Sequence, residues 1–337
     1  MGKLKVRERL TDTLTWAASS SVKVNLPRDG LITEMTFHVA LTLSAAAVIQ
    51  PDGPYRIIES FKIEGDGGRS FFGMSGEQMG RLWNLVNKYD YPGAAFVNED
   101  GLNSGTATMH IFWVFHPGSN PRDPFDMSAV IPAQDLSTLT AEWQTTANSV
   151  CDDTATISSA TGYIDICKVT GVPTPKGIMT PLSSGLKLPH DANYSDYQKK
   201  IDVPTGAYLR RIVMLVQDAT ATRPVRSDTK VTGVSLELPK ASTTILKQRW
   251  QATQLAGQLY AGGGAVQDFH TADTFTTRTV VHAGCAVIDL RPYDHPLFGL
   301  NLTNMQTGDV KLGLTIENYA SGDDTIIFWD QLQPWNK

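Results

Sequence analysis

Cysteine is scarce in this chain of 337 residues: there are 3, an odd number. Cys151, Cys167 and Cys285 include no C-x-x-C pair. Neither a disulfide framework nor a cysteine zinc site is therefore expected, and buried free thiols are the default reading. Charge is sparse too, at 19% of residues, with 29 basic against 34 acidic side chains and a net charge of -5. Phosphate contacts require clustered Lys and Arg, so this balance argues against a general nucleic-acid binder. Long apolar runs are missing. The most apolar, Val39 to Ile49, is broken by Thr42 and Ser44, whereas a membrane-spanning helix needs about 20 apolar residues. Lys3, Lys5, Arg7 and Arg9 crowd the first ten residues beside the single anion Glu8, but no apolar stretch follows them. The segment does not read as a secretory signal, and a soluble, intracellularly made protein is expected.

Motifs for chemistry are also missing. Gly68-Arg69-Ser70-Phe71-Phe72-Gly73-Met74-Ser75 has the spacing of a phosphate-binding loop, but Met74 occupies the lysine slot; a turn leading into a helix cap is expected instead. Gly73-Met74-Ser75-Gly76 is not a G-x-S-x-G elbow. His110 and His116 would share one face of one strand, about 20 Å apart by strand rise, too far to share an ion. His282 and His295 have no partner nearby in sequence, and no H-E-x-x-H occurs. Asp152-Asp153 and Asp323-Asp324 are carboxylate pairs of a kind that a hard cation accepts, but the alternation of a calcium loop is absent and solvated turns are expected. The sequons Asn193-Tyr194-Ser195 and Asn301-Leu302-Thr303 matter only in a secreted eukaryotic protein. No catalytic, cofactor-binding or metal residue is assigned, and the chain reads as a non-enzyme.

Apolar residues are present in strength, at 41%, with 28 Gly and 18 Pro. A buried core is affordable, and the chain-benders suit short strands joined by turns. Two-residue alternation dominates. Leu31, Met35, Phe37, Val39, Leu41 and Leu43 fall on one face of a long strand. Met109 to Phe115 is apolar on both faces, as in a covered central strand. Further strands are expected at 57–63, 136–143, 154–158, 162–168, 207–217, 231–238, 275–290, 310–317 and 325–329. Ser75-Gly76-Glu77-Gln78 is a capping-box pattern, followed by Met79, Leu82, Trp83 and Val86 at helical spacing. A second helix is expected from about Thr243 to Tyr260, ended by Gly262-Gly263-Gly264.

The chain also repeats itself at an offset of about 175 residues. Leu26-Pro27-Arg28-Asp29-Gly30 and Val203-Pro204-Thr205-Gly206 each open a long strand. In both halves a second strand follows, then a helix bearing Trp83 or Trp250, then a strong strand ending near His116-Pro117 or Arg291-Pro292. Ala133-Gln134-Asp135-Leu136 and Thr307-Gly308-Asp309-Val310 then precede one more. Between the halves Gly171, Pro173, Pro175, Gly177, Pro181, Gly185 and Pro189 interrupt every periodicity. The expected fold is all-β: two tandem jelly-roll domains, each an eight-stranded sandwich or barrel with one short helix. Residues 1–20 are expected as an N-terminal arm, 21–175 as the first jelly roll, 176–200 as a linker and 201–337 as the second.

This plan resembles the major capsid proteins of the double jelly-roll lineage, found in tailless icosahedral viruses. Leu26-Pro27-Arg28-Asp29-Gly30-Leu31-Ile32 and Ile57-Ile58-Glu59-Ser60-Phe61-Lys62-Ile63-Glu64-Gly65-Asp66-Gly67-Gly68 are similar to the opening of phage coat proteins of that kind. The resemblance implies a homotrimer whose six rolls approximate a hexagon, a capsid lattice built from it, penton and minor capsid partners, a place in the virion and synthesis in the host cytoplasm. It carries no catalytic residue to transfer. The basic arm is expected either to touch an internal membrane, the genome or a neighbouring subunit, or to be a solvated, frayed terminus, and exposed Trp and Tyr would anchor contacts between subunits. Two other readings compete. The 7 Trp suit a carbohydrate-binding or adhesive β-sandwich, and a two-domain jelly-roll enzyme such as a hydrolase would need a metal or an acid pair between its domains.

Overall fold

The computed structural model describes residues 4–44, 53–76, 78–79, 108–120, 123–147, 156–219, 225–261, 266–271, 274–279, 284–291 and 299–335. They form two compact units, the first of 1–184 with 334–337, the second of 185–333.

The strands of the first unit are β1 (Leu4–Arg9), β2 (Leu14–Thr15), β3 (Ser21–Asn25), β4 (Leu31–Leu43), β5 (Ile58–Gly65), β6 (Arg69–Met74), β7 (Thr108–Phe115), β8 (Leu139–Thr145), β9 (Ile157–Thr170) and β10 (Met179–Pro181). One sheet runs β1-β9-β4-β7, with β2 also on β9; the other runs β3-β8-β5-β6. Alternation in β4 sends Met35, Phe37, Val39 and Leu41 into the space between the sheets, where they are buried. Phe37 is the hub. It stacks on Phe61 at 4.5 Å and on Trp113 at 5.1 Å, and meets Trp143 edge-on at 5.8 Å. Gly162 of β9 makes the room: a Cβ there would sit 2.7 Å from the Phe37 ring.

The second unit contains β11 (Ser184–Pro189), β12 (Tyr194–Asp202), β13 (Tyr208–Asp218), β14 (Val225–Arg226), β15 (Val231–Leu238), β16 (Thr243–Arg249), α1 (Trp250–Ala261), β17 (Val266–Thr271), β18 (Thr274–Thr279), β19 (Cys285–Asp289), β20 (Leu300–Asn301), β21 (Lys311–Ile316) and β22 (Asp324–Pro334). One sheet places β22 between β11 and β13, with β19, β14 and β20 on the far edge of β13; the other runs β12-β21-β15-β16. Ile212, Met214, Val234, Leu236, Leu312, Leu314, Ile327, Trp329 and Trp250 fill the core between them.

Numbering the eight main strands of each unit in chain order gives one permutation twice. Strands 1-8-3-6 form the first sheet and 2-7-4-5 the second, as β1-β9-β4-β7 with β3-β8-β5-β6, and as β11-β22-β13-β19 with β12-β21-β15-β16. That is the winding of a jelly roll. The repeat seen in the sequence corresponds to strands 3, 4, 6 and 7 of both units.

Several expectations need correction. Residues 1–20 are not a free arm: β1 pairs with β9 along its whole length, from Leu4 opposite Thr170 to Arg9 opposite Asp165. Residues 176–200 are not a plain linker, since β10, β11 and most of β12 lie there and the units divide at 184/185. The strands expected at 154–158 and 162–168 meet in one strand, β9 (Ile157–Thr170), while 154 and 155 lie outside the described residues. Residues 275–290 hold two strands, β18 and β19. The helix expected from Thr243 begins at Trp250, because Thr243–Arg249 is β16, paired with β15. The helix expected after Ser75 lies mostly outside the described residues, but its capping box is formed. Gln78 N donates to Ser75 Oγ at 3.3 Å and Ser75 N donates to Gln78 Oε1 at 2.9 Å. It follows β6, the fifth strand, as α1 follows β16 in the second unit.

Candidate functional surface

Of the residues that the sequence analysis weighed for chemistry, those described take part in the packing and hydrogen bonding of the fold. Cys167 and Cys285 are buried free thiols, and Cys151 lies outside the described residues. Burial pushes the Cys167 thiol up, although Arg7 Nε donates to its Sγ at 3.0 Å. His116 sits just beyond β7 and is buried, with Nε2 2.8 Å from the Asp123 carbonyl; a carbonyl only accepts, so the ring proton is on Nε2. The side chain of His110, and all of His282, His295 and Asp152-Asp153, lie outside the described residues. Asp323 and Asp324 are not in a solvated turn. Both are buried. Asp323 accepts from Ala219 N at 3.0 Å and Ala320 N at 2.7 Å and pairs with Lys230 at 2.9 Å, while Asp324 pairs with Lys187 at 3.1 Å. Among the described residues no three His, Cys, Asp or Glu converge as a metal site. The phosphate-loop look-alike is a turn at Asp66–Gly68, then β6, then the Ser75 cap.

Five of the tryptophans are core, not platform. Trp113, Trp143, Trp250, Trp329 and Trp335 are buried, so the expected anchoring by exposed aromatics does not hold for them. The N-terminal cations are engaged within the first unit. Arg7 bonds Glu34 at 2.9 Å, Arg9 bonds Asp165 at 2.8 Å, and the Lys5 ammonium lies 5.2 Å over the Phe125 ring. In the first unit, the void beside Phe37, Phe61, Phe72 and Trp113 measures about 10 Å³, room for one water at most.

One cluster escaped sequence reading. Arg210 and Arg211 are neighbours on β13 and both are buried, yet both reach Asp330 of β22. Arg210 Nη2 donates to Oδ1 at 2.7 Å and Arg211 Nε to Oδ2 at 2.6 Å. Successive strand residues face opposite ways. A bulge resolves the conflict, since Leu209 faces Gln331 while Arg211 faces Asp330, leaving Arg210 as the extra residue. Gly299 permits it, because a Cβ there would fall 1.9 Å from the Leu209 carbonyl oxygen. Burial alone would raise the Asp330 carboxyl, but the two guanidinium charges outweigh it and hold it at about 2. Burial lowers Arg211 to about 10. The signal available in the sequence was an Arg pair inside the apolar run Tyr208–Val216.

What the second unit offers to solvent around β12-β21-β15-β16 is a set of matched charges. Lys199 pairs with Asp191, Lys200 with Glu237, Lys240 with Asp309, Lys247 with Asp196 and Lys311 with Asp202. Asp196 and Tyr197 hold positive φ, 45° and 60°, in a bulge where β12 leaves register with β21 between Tyr194 and Lys199. Such backbone costs about 1–3 kcal/mol per residue. It is held by Tyr197 N donating to Thr315 Oγ1 at 2.8 Å, with the Lys247 ammonium 4.7 Å over the Tyr197 ring. Among the described residues the exposed large apolar side chains are Leu4, Leu186, Ile245, Leu255 and Tyr319. A charge-paired sheet face suits contact rather than catalysis.

Two units of identical winding in one chain form a specific pattern, and solved structures share it end to end. The major capsid protein of Sulfolobus Turreted Icosahedral Virus is similar over 98% of this chain and 96% of that one, with TM-score 0.74 and 18% identity. The fold is the double jelly roll. The major capsid protein P2 of bacteriophage PM2 shares that double jelly roll over 99% of both chains at TM-score 0.57 and 11% identity. The PBCV-1 virus capsid structure shares it over 98% of this chain and 94% of that one, at TM-score 0.62 and 10% identity. No protein-family model matches the sequence. No curated protein matches it either.

Proposed function

We propose that the chain is a structural virion protein, a major capsid protein whose copies assemble as pseudo-hexameric trimers into an icosahedral shell. The observation that carries this reading is the repeated permutation, which gives one chain two rolls of the same winding. Three such chains around an axis set six similar rolls in a ring, so one subunit type tiles a surface through repeated contacts. Whole-length similarity to structures of viral capsid proteins supports it. Its partners are then further copies of itself, together with penton and minor capsid proteins, and its place is the virion, after synthesis in the host cytoplasm. The role requires no catalysis. Arg7 and Arg9 of β1 pair with Glu34 of β4 and Asp165 of β9, and β1 is a sheet strand, so membrane or genome contact through an arm is not part of this proposal.

Light scattering on purified protein, followed by electron microscopy, tests it. The expected species has three times the 36.8 kDa chain mass and a hexagonal outline. A monomer at every concentration and salt, with no ring or lattice on the grid, overturns the reading.

A further inference from the structure

β6 breaks the rule of alternation. Ile63 of β5 faces Phe72 and Glu64 faces Ser70, so Phe71 is an extra residue on β6. Phe71 and Phe72 are both buried. The bulge releases Phe71 from strict alternation, so the side each ring takes is read from its own contacts. Phe72 turns inward, 6.1 Å from the Phe61 ring and 4.8 Å from the Phe115 ring. Phe71 is met by Trp335, with ring centroids 6.3 Å apart. Trp335 is itself clasped. The Arg69 guanidinium lies 4.1 Å over its ring, its Nε1 donates to Asp135 at 3.1 Å, and its backbone N donates to the Ile178 carbonyl at 2.8 Å. All of these groups belong to the first unit.

In chain order, however, Trp335 follows the whole of the second unit. The last rung joining β22 to β13 pairs Leu332 with Tyr208. Three residues later, at Trp335, the chain is fixed on Phe71. While β22 is in place, Trp335 is delivered to its seat by a very short tether, which sets a high effective concentration. When the second unit is unfolded, the tether becomes the whole intervening chain, and effective concentration falls as roughly the three-halves power of its length.

We infer that Trp335 is a strap that makes closure of the first roll conditional on folding of the second. A chain whose second roll is missing or unfolded leaves Phe71 uncovered and β6 loosened, so the first roll reports on the state of the other half. The strap goes beyond the capsid reading and does not depend on it.

Hydrogen exchange on the full chain, read on peptides covering β6 and residues 178–183, tests this. Trp335→Ala is expected to speed exchange there at least tenfold and to leave β15 and β21 unchanged. Val234→Ala, in the second core, is expected to speed β6 exchange in the wild-type background, and that effect should shrink at least threefold in Trp335→Ala. Equal effects of Val234→Ala in the two backgrounds overturn the inference, as does a Trp335→Ala effect of the same size in both units. If Trp335→Ala does not fold, Arg69→Ala and Asp135→Asn loosen the same clasp and must give the same pattern.

Discussion

Asp330 shows how one carboxylate can organise a sheet. It is 0% exposed and is the shared partner of two arginines that are 1% and 3% exposed. Replacing one partner of a buried ion group leaves uncompensated charge, at a cost of about 3–5 kcal/mol. Asp330→Asn keeps the shape and removes the charge, so a loss of that size is expected in urea denaturation; a loss under 1 kcal/mol would refute this account of the cluster. The carboxyl sits at about 2 in the folded chain, below its unfolded value near 4. Its contribution is therefore complete above about pH 4 and drains away as pH falls toward 2. His190 acts higher on the scale. Burial pushes its imidazole below the ordinary 6.5, and Nε2 lies 2.8 Å from Thr325 Oγ1. The unfolded chain takes up a proton first, so stability is full above pH 6.5 and declines below it. His190→Gln is expected to flatten the stability curve between pH 7 and 5, read as the denaturation midpoint at each pH. At this scale the sequence was nearly mute. It displayed the carboxylates and arginines, but the partners are 119 and 120 residues apart, and no local pattern joins them.

At the scale of elements, α1 hangs on one acid. Asp228 Oδ1 accepts from Trp250 Nε1 at 3.1 Å, Gln254 Nε2 at 2.7 Å and Gly284 N at 2.7 Å. Trp250 is fully buried, so the helix is pinned at its first residue and one turn along, by the same oxygen that holds Gly284 just before β19. Asp228→Ala leaves three donors without their acceptor, at about 1–3 kcal/mol for each buried group left unsatisfied. We expect a clear fall in thermal midpoint with faster amide exchange in α1, and a smaller fall for Asp228→Asn, which keeps a carbonyl oxygen. Equal losses from the two would show that charge rather than hydrogen bonding is the tie. The start of this helix was misread for a physical reason. Leu246 and Trp250 are four apart, a spacing that fits one helix face and one strand face equally, and only the pairing with β15 decides. The strand expected over 162–168 begins earlier, at Ile157, and within it Gly162 clears space for Phe37.

For the molecule as a whole, the duplication was legible and its edges were not. Strands 3, 4, 6, 7 and 8 of each roll were legible as strands, whereas strand 5 was not: β6 read as a turn before a helix cap, and the largely exposed β16 read as helix. Strands 1 and 2 stand at the edges of their sheets, and β1, β3, β11 and β12 are largely exposed. Edge strands carry charge and few apolar side chains, which discourages false pairing. That same polarity made them look like an arm and a linker, and it moved the expected start of each roll too far along the chain. The outlying strands were hidden by the property that suits them to their position. The charge pairing around β12-β21-β15-β16 has its own corollary. Each lysine there has a carboxylate within 3.3 Å or less, so the five couples act at a distance as small dipoles whose fields cancel well inside the roughly 10 Å reach of ionic screening. Two copies drifting together across that face would sense each other only at near contact, where shape and hydration decide the fit.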